Sequence, residues 1–513
     1  MTRFARPSVA LGLCLVLALI AYYPALGNGF YNDDALFLNH AGQALERPTA
    51  LFTERPLNYF RPTWGAWVTA QRALFGLQPA GYYAVGILLH ALTGFLVFLL
   101  GRRLVRDPVA ALAGALAFVA FYSQAEATLW IAAQNSSLMT CLVLLCVLGH
   151  LRAVDTGKLV HALLTAVLVG VTLLCKEPGL FALPLMLLLE AGLNGWRSCL
   201  SRRALLRWAV VLPVVAAYAL YNPRLTEAFT AGGATTATEV RAALGEVTLA
   251  RVVGASAWLY SPVRHMAADL TAWWGVAALG GAVLLVAGLA RDRLRATLLA
   301  IGVLLVAMVP ACVTLQQQAN GSRLYYLPTV GAALLLACVV SALRARPALG
   351  AIGVLLLAGY LVVQVRAIHD LNARDYRLIS QLQVRTAEQL GEHVPGPGEA
   401  RLLLLEPWLD NPMHLREFLF LYHGVARGRV GGGAVERRDW PDWIARQREL
   451  DPAVVVLDWT DADGLVPATS LPPKRTSAQG KPRTADTGVR QGTINVMRIA
   501  PPRVTQDPRR RDG

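Results

Sequence analysis

Eleven apolar runs, separated by short charged or polar segments, fill the first 367 residues of this sequence. Their cores lie at 8–26, 80–101, 108–123, 127–150, 159–175, 178–194, 205–221, 272–290, 296–314, 324–342 and 348–367. A helix that crosses the hydrocarbon layer needs about 20 mostly apolar residues. Lipid offers the backbone no hydrogen-bond partner, so runs of this kind are restricted to helices or closed barrels, and their length and continuity choose helices. Of the 513 residues, 55% are hydrophobic and 16% charged. That composition overrides the three or so domains that length alone assigns to a soluble chain. The expectation is an α-helical polytopic membrane protein with about eleven transmembrane helices.

The formal charge of +15 is not spread evenly. Arg3/Arg6, Arg102/Arg103/Arg106, Arg152/Lys158, Arg197/Arg202/Arg203, Arg291/Arg293/Arg295 and Arg344/Arg346 fall in alternate inter-run segments. The other set of segments holds Asp33/Asp34, Glu126, Glu177, the loop 222–271 and residues 315–323. Short basic loops mark the cytoplasmic side of a membrane, so this pattern excludes a nucleic-acid surface and places the N-terminus inside and the carboxylates outside. The basic start and first apolar run lack a small-residue cleavage site and read as a retained anchor. The seven cysteines include no Cys-x-x-Cys pair, and neither a disulfide nor a zinc site is expected.

Residues 1–369 form the membrane part. Its outer loop 27–79 contains Trp64, Trp67, Leu74 and Phe75 at near-helical spacing, with Pro62 at a helix start, which predicts an amphipathic helix lying in the interface. The outer loop 222–271 reads equally as a lid or as a plain connection. After 369 charged residues return, and the β-type runs Arg401–Leu405 and Ala453–Leu457 flank helical stretches. Residues 370–465 are therefore read as a small α/β extracytoplasmic domain. The Pro-, Arg- and Ser-rich stretch 466–513 is read as largely disordered.

Four polar groups stand at the outer ends of the runs: Asp33-Asp34; Gln124-Ala125-Glu126 with Trp130; Lys176-Glu177; and Ser322-Arg323-Leu324-Tyr325-Tyr326-Leu327-Pro328. Arg61 and His90 follow the first. Taken singly, each has a plain reading: a solvated acidic pair, a snorkelling Lys-Glu pair, an interfacial arginine, a packed histidine. Charged groups at membrane depth are costly and mark function, and the grouping of all four on one side lets them converge on one cavity.

These residues resemble those of the GT-C glycosyltransferases, in the branch of the protein O-mannosyltransferases and the TMTC-like mannosyltransferases. The resemblance rests on Asp33-Asp34; Tyr59-Phe60-Arg61-Pro62-Thr63; Leu77-Gln78-Pro79-Ala80-Gly81-Tyr82-Tyr83; Leu88-Leu89-His90; Gln124-Ala125-Glu126-Ala127 with Trp130-Ile131; Lys176-Glu177; and Arg323-Leu324-Tyr325-Tyr326-Leu327-Pro328. It covers about 20–340. Gln124 stands where the family often has His, and TPR repeats do not follow the last run.

The resemblance implies transfer of a sugar, a hexose such as mannose, from a polyprenyl-phosphate carrier to a hydroxyl of a protein, lipid or glycan acceptor. The outer face is the periplasm or exterior of a bacterium or a secretory lumen of a eukaryote, and the Ala/Leu/Arg-rich usage points to a bacterial inner membrane. Lys176 and Arg323 would bind the donor phosphate, with Tyr325 and Tyr326 beside it. One carboxylate of Asp33-Asp34 would act as general base in an inverting displacement; the residues do not choose between them, and the resemblance favours Asp33. Arg61 and His90 would orient substrate, and Glu126 and Glu177 would hold basic partners or orient the acceptor. Asp33, Asp34 and Glu126 are of the right type for a hard cation, but this branch generally works without one, so no metal or other cofactor is expected. The competing readings are a flippase or transporter of a lipid-linked sugar, whose sites lie at the midplane in broken helices, an O-antigen-ligase-type enzyme, and a membrane scaffold without chemistry.

Overall fold

The computed structural model describes residues 6–222, 248–262, 272–315 and 322–381, with short stretches at 383–384, 402–405, 417–418, 420–422, 430–433, 455–460 and 464–467. The chain divides into two compact units, Met1–Thr469 and Ser470–Gly513, and every described residue lies in the first. Most of the loop 222–271, most of 385–465 and all but the first residues of the tail 466–513 lie outside the described residues.

A helix occupies each of the eleven apolar ranges: α1 (Pro7–Tyr22), α4 (Pro79–Val105), α5 (Pro108–Ala120), α6 (Gln134–Thr156), α7 (Leu159–Leu173), α8 (Ala182–Asn194), α9 (Arg202–Tyr221), α11 (Ala272–Leu289), α12 (Leu294–Leu315), α13 (Pro328–Arg344) and α14 (Pro347–Leu371). Between them lie α2 (Asp34–Glu46), α3 (Pro62–Phe75) and α10 (Leu249–Ser256). Counted with adjoining turns, six helices among the described residues are long and apolar enough to cross a membrane, and four more are apolar but shorter. The protein is an integral membrane protein. The helices start where the sequence supplies a start: Asp107 accepts from the N–H groups of Val109 and Ala110 at 3.0 and 3.2 Å, with Pro108 next to it.

In lipid there is no hydrophobic drive between helices, so close packing relies on small residues. A methyl group on Gly114 of α5 would stand 2.5 Å from the Ala333 carbonyl oxygen of α13, and one on Gly331 of α13 would stand 2.4 Å from the Leu304 backbone of α12. Backbones meet there, and α5, α13 and α12 form one layer; α4 packs against α1, α5 and α6. At the arginine-rich end, the buried Glu190 of α8 accepts from His150 of α6 at 2.8 Å and from Arg207 of α9, a charged tie between three helices that the sequence reading did not single out.

Three expectations change. The run 127–150 is not one helix: residues 122–133 form buried short turns, and α6 begins only at Gln134. Partners outside the segment serve its backbone, the Tyr122 N–H donating to Gln364 and the Ala132 N–H to Asp34, so the helix can break at membrane depth. The loop 27–79 holds a second helix, α2, besides the expected one. The expected apolar stripe of α3 also splits, with Trp64 buried against α2 while Leu74 stands 75% exposed. Of the later segment, four strands are described: β1 (Leu402–Leu405), β2 (Val430–Gly433), β3 (Val455–Thr460) and β4 (Gly464–Pro467). They form one sheet in the order β2-β1-β3-β4, with β1 parallel to both neighbours and β4 antiparallel to β3. All seven cysteines are free.

Candidate functional site

The acidic pair sits on a sharp turn at the head of α2. Asn32 has φ 45°, the left-handed conformation that Asn tolerates better than most residues. Asp33 occupies the cap position of α2 and Asp34 its first turn. Their environments differ. Asp34 is buried, one carboxylate oxygen accepting from the Tyr31 N–H at 2.8 Å and the other from the Ala132 N–H at 2.7 Å. Burial pushes its carboxyl well above the usual range, against the pull of those two donors, and the neighbouring Asp33 charge adds to the rise. Asp33 is only partly buried, and its charge acts on Arg323. Both oxygens of Asp34 are thus committed to backbone, which ties the turn to 122–133.

Two ion pairs and a lysine cluster nearby, with Arg323 within range of the Asp33 charge and Lys176 within range of both arginines. Arg61, at the head of α3, grips Glu177 through two nitrogens, Nη2 to Oε2 at 2.6 Å and Nε at 3.2 Å, with its guanidinium 3.8 Å from the Tyr59 ring centre. Arg323 donates from Nη1 to Glu126 Oε1 at 2.6 Å and from its backbone N–H to Oε2 at 2.9 Å, and lies 4.7 Å from the Trp130 ring centre. Lys176 lies between them. Its buried ammonium donates to Asn135 Oδ1 at 2.8 Å and Ser136 Oγ at 2.6 Å, both neutral. Among the described residues no carboxylate pairs with it. Burial, helped by repulsion from Arg61 and Arg323, lowers its pKa from 10.5 to about 7. For Glu177 burial acts upward, but the Arg61 charge and its hydrogen bonds outweigh it and hold the carboxyl low.

Lys176 and Arg323 line the same cleft, with Ser136 and walls from Met139, Pro178, Pro310 and Leu327. Two cations and a hydroxyl set in apolar walls suit an anionic headgroup on an apolar tail.

His90 and Tyr326 do not join this cluster. Both are fully buried, and His90 Nδ1 meets the Tyr326 hydroxyl at 2.5 Å while Nε2 meets the Val119 carbonyl at 2.9 Å. The carbonyl fixes Nε2 as the protonated nitrogen, so the Tyr326 O–H donates to Nδ1. His90 is expected to orient substrate and Tyr326 to bind phosphate; here their polar atoms bond each other and the Val119 carbonyl, which anchors the loop that carries Arg323. Tyr325, also buried, flanks it. Gln124 belongs to the same anchoring, its side chain donating to the Phe118 carbonyl and accepting from the Thr329 hydroxyl at 2.5 Å.

A family model described as dolichyl-phosphate-mannose-protein mannosyltransferase matches residues 61–221, a stretch that includes Arg61, Glu126, Lys176 and Glu177 but neither the acidic pair nor Arg323. The protein O-mannosyl-transferase Tmtc1 of Drosophila melanogaster is 30% identical over 183 residues, 33% of this chain and 21% of that relative. Among solved structures, ArnT from Cupriavidus metallidurans bound to undecaprenyl phosphate aligns with a TM-score of 0.50 at 13% identity, covering 88% of this chain and 93% of that one. This chain resembles the GT-C glycosyltransferases. The apo form of the same ArnT aligns equally well, covering 92% of that chain, and the archaeal oligosaccharyltransferase AglB from Archaeoglobus fulgidus aligns at a TM-score of 0.48 with 12% identity over 88% of this chain and 69% of that one. The likeness in fold to ArnT extends well beyond the stretch that the family model covers.

Several site residues escaped the sequence reading. Asn135 and Ser136 hold Lys176; the available signal was a polar cluster at the head of an apolar run. Asn372, Tyr376, Ser380 and Gln383 reach the acidic turn from the far end of the chain, and no local pattern announces them.

Proposed function

We propose that this protein transfers a sugar from a polyprenyl-phosphate carrier to an acceptor hydroxyl at the outer face of the membrane. The observation that carries the reading is the shared cleft of Lys176 and Arg323, in which the lysine has only neutral partners among the described residues. A buried cation without a counter-ion costs stability and is tolerated where an anion is to be bound. Arg61 and Arg323 are neutralised by Glu177 and Glu126, so the positive charge available to a donor phosphate is centred on Lys176.

In the reaction we infer, the acceptor oxygen bonds to the anomeric carbon as the bond from that carbon to the phosphate oxygen breaks. The acceptor proton passes to the Asp33 carboxylate, and the carrier phosphate leaves with its charge held by Lys176 and Arg323. One displacement inverts the anomeric centre. Asp33 is favoured as base because Asp34 is buried and bonded through both oxygens, so Asp34 orients the turn. Glu126 and Glu177 hold the arginines in place. A hexose such as mannose, delivered to a protein, lipid or glycan, is the substrate class that the GT-C resemblance favours, in the inner membrane of a bacterium with the arginine-rich end facing the cytoplasm. The reading uses no metal: the reaction needs a base and a cationic phosphate site, and side chains supply both.

The test is turnover of a labelled polyprenyl-phosphate hexose by purified protein in nanodiscs, with and without chelator. Sugar release or transfer that is lost in Asp33→Asn and insensitive to chelator is expected. Tight carrier binding without turnover would overturn the transferase reading in favour of transport or en bloc ligation.

A further inference from the structure

The last apolar helix does not stop at the membrane. Taken through the turn that follows it, the helical stretch Pro347–Gln381 has 35 residues, about 50 Å at 1.5 Å per residue, against a hydrocarbon thickness of about 30 Å. Its final part includes a π-helical turn, Asn372–Arg377, a rare form that recurs at functional sites. From there, residues more than 340 positions away in sequence close on the acidic turn. Asn28 Nδ2 donates to Asn372 Oδ1 at 2.7 Å, and the Gly29 N–H donates to Ser380 Oγ at 3.0 Å. Asn32, the residue with positive φ, is bound twice by one partner: its N–H donates to Gln383 Oε1 at 2.9 Å, and its Oδ1 accepts from Gln383 Nε2 at 2.7 Å. The Tyr376 ring lies 5.4 Å from that of Tyr31, and Tyr376 is close enough to Arg323 to act on its charge. Asn372, Ser380 and Gln383 are all buried. Further along, Glu417 accepts from Asn39 of α2 at 2.9 Å.

We propose that Asn372, Tyr376, Ser380 and Gln383 act as a clamp that sets the geometry of the acidic turn, with Gln383 the positioning residue that holds Asn32 in its left-handed conformation and so aims Asp33. The proposal rests on the reading of Asp33 as the base. A residue with positive φ is strained unless its surroundings over-determine it, and Asn32 has no helix or strand to do so. The paired hydrogen bonds from Gln383 supply that constraint from outside, with Ser380 and Asn372 fixing the two residues on which the chain enters the turn. The carboxylate then stands at a fixed place relative to Arg323 before substrate binds, and pre-set geometry of this kind is a large part of catalytic rate.

The experiment uses the full chain in nanodiscs and reads two quantities. Amide hydrogen exchange of the peptide 27–34 is compared in wild type, Gln383→Ala, Ser380→Ala and Gln383→Glu, with the peptides of α4 as an internal control. Loss of one or two hydrogen bonds is expected to speed exchange about tenfold at 27–34 in the two Ala variants, with α4 unchanged. Gln383→Glu, kept protonated by burial beside two other carboxyl groups, keeps an acceptor for the Asn32 N–H and an O–H that donates to Asn32 Oδ1, so exchange near the wild-type rate is expected. Turnover of polyprenyl-phosphate hexose is then measured: kcat about tenfold lower in Gln383→Ala with donor KM unchanged, and recovered in Gln383→Glu. Unchanged exchange at 27–34, a speeding that spreads equally over α4, or a loss in kcat that Gln383→Glu fails to recover overturns the clamp. If wild type turns over no lipid-linked sugar while exchange at 27–34 still depends on Gln383, the clamp stands and the transferase reading falls.

Discussion

Replacing Lys176 by Met separates what this residue does for binding from what it does for the fold. Its ammonium is buried on Asn135 and Ser136, with two guanidinium groups near it. Burial first, and Arg61 and Arg323 second, bring its pKa from 10.5 to about 7. Between those two values the unfolded chain still holds a proton that the folded protein has released. Stability therefore rises with pH across the window from 7 to 10.5, and below it the full cost of the buried charge is present. An anion in the cleft favours the charged form, so binding takes up a proton wherever Lys176 starts neutral. For a sugar-phosphate diester, whose own charge is constant over this range, the apparent Kd rises with pH and levels off at the affinity of the neutral form, which, like a Met side chain, binds about thirtyfold more weakly. That is a factor of about 2 at pH 7, about 8 at pH 8 and about 20 at pH 9. Lys176→Met loses one charge-assisted hydrogen bond to phosphate, about 2 kcal/mol or roughly thirtyfold in affinity at pH 6, and its Kd should be flat with pH. Wild type and variant are therefore expected to converge by pH 9, with the melting temperature of the variant no lower than that of wild type. Calorimetric or fluorescence titration of the diester in nanodiscs from pH 6 to 9 reads this directly. A wild-type affinity that is flat over the range, or a pH slope that survives in Lys176→Met, refutes the assignment of the anion site to this residue.

Three further outcomes follow from the same geometry. Asp33→Asn should fold and lose turnover, whereas Asp34→Asn, whose amide nitrogen has no lone pair for one of the two backbone donors, should lose roughly 1–3 kcal/mol of stability through that contact; thermal melts beside turnover assays read both. Glu126→Gln leaves the Arg323 guanidinium without its counter-ion and should lower kcat about a hundredfold or more with the protein still folded, and retention of full activity would remove Arg323 from the site. Gly331→Ala and Gly114→Ala place a methyl group against backbone rather than a movable side chain, so each should cost about 1–3 kcal/mol and reduce the yield of monodisperse protein on size exclusion, while Gly280→Ala, which meets nothing within 4 Å, should not.

The membrane character of this chain was legible in its sequence because the bilayer imposes a one-dimensional rule: a span needs a long apolar run, and each of the eleven runs carries a helix. Arg61, Glu126, Lys176, Glu177 and Arg323 stood out for a similar reason, since charge at the end of an apolar run is costly enough to be conspicuous. Pairing was not legible. Arg61 meets Glu177 across 116 positions and Arg323 meets Glu126 across 197, and nothing local distinguishes these partners from their exchange. The break at 122–133 was missed because its backbone is satisfied from Asp34 and Gln364, far away in the chain. For His90 and Tyr326 a motif shows residue types and not directions, and packing turns their polar atoms toward each other. The same division holds for the acidic pair. That two adjacent carboxylates follow the first apolar run is visible in the chain alone. Only the tertiary structure buried one on two backbone N–H groups and left the other partly open beside Arg323, because burial and hydrogen bonding are set by what the fold brings against each side chain, and here that includes a segment 350 residues further on.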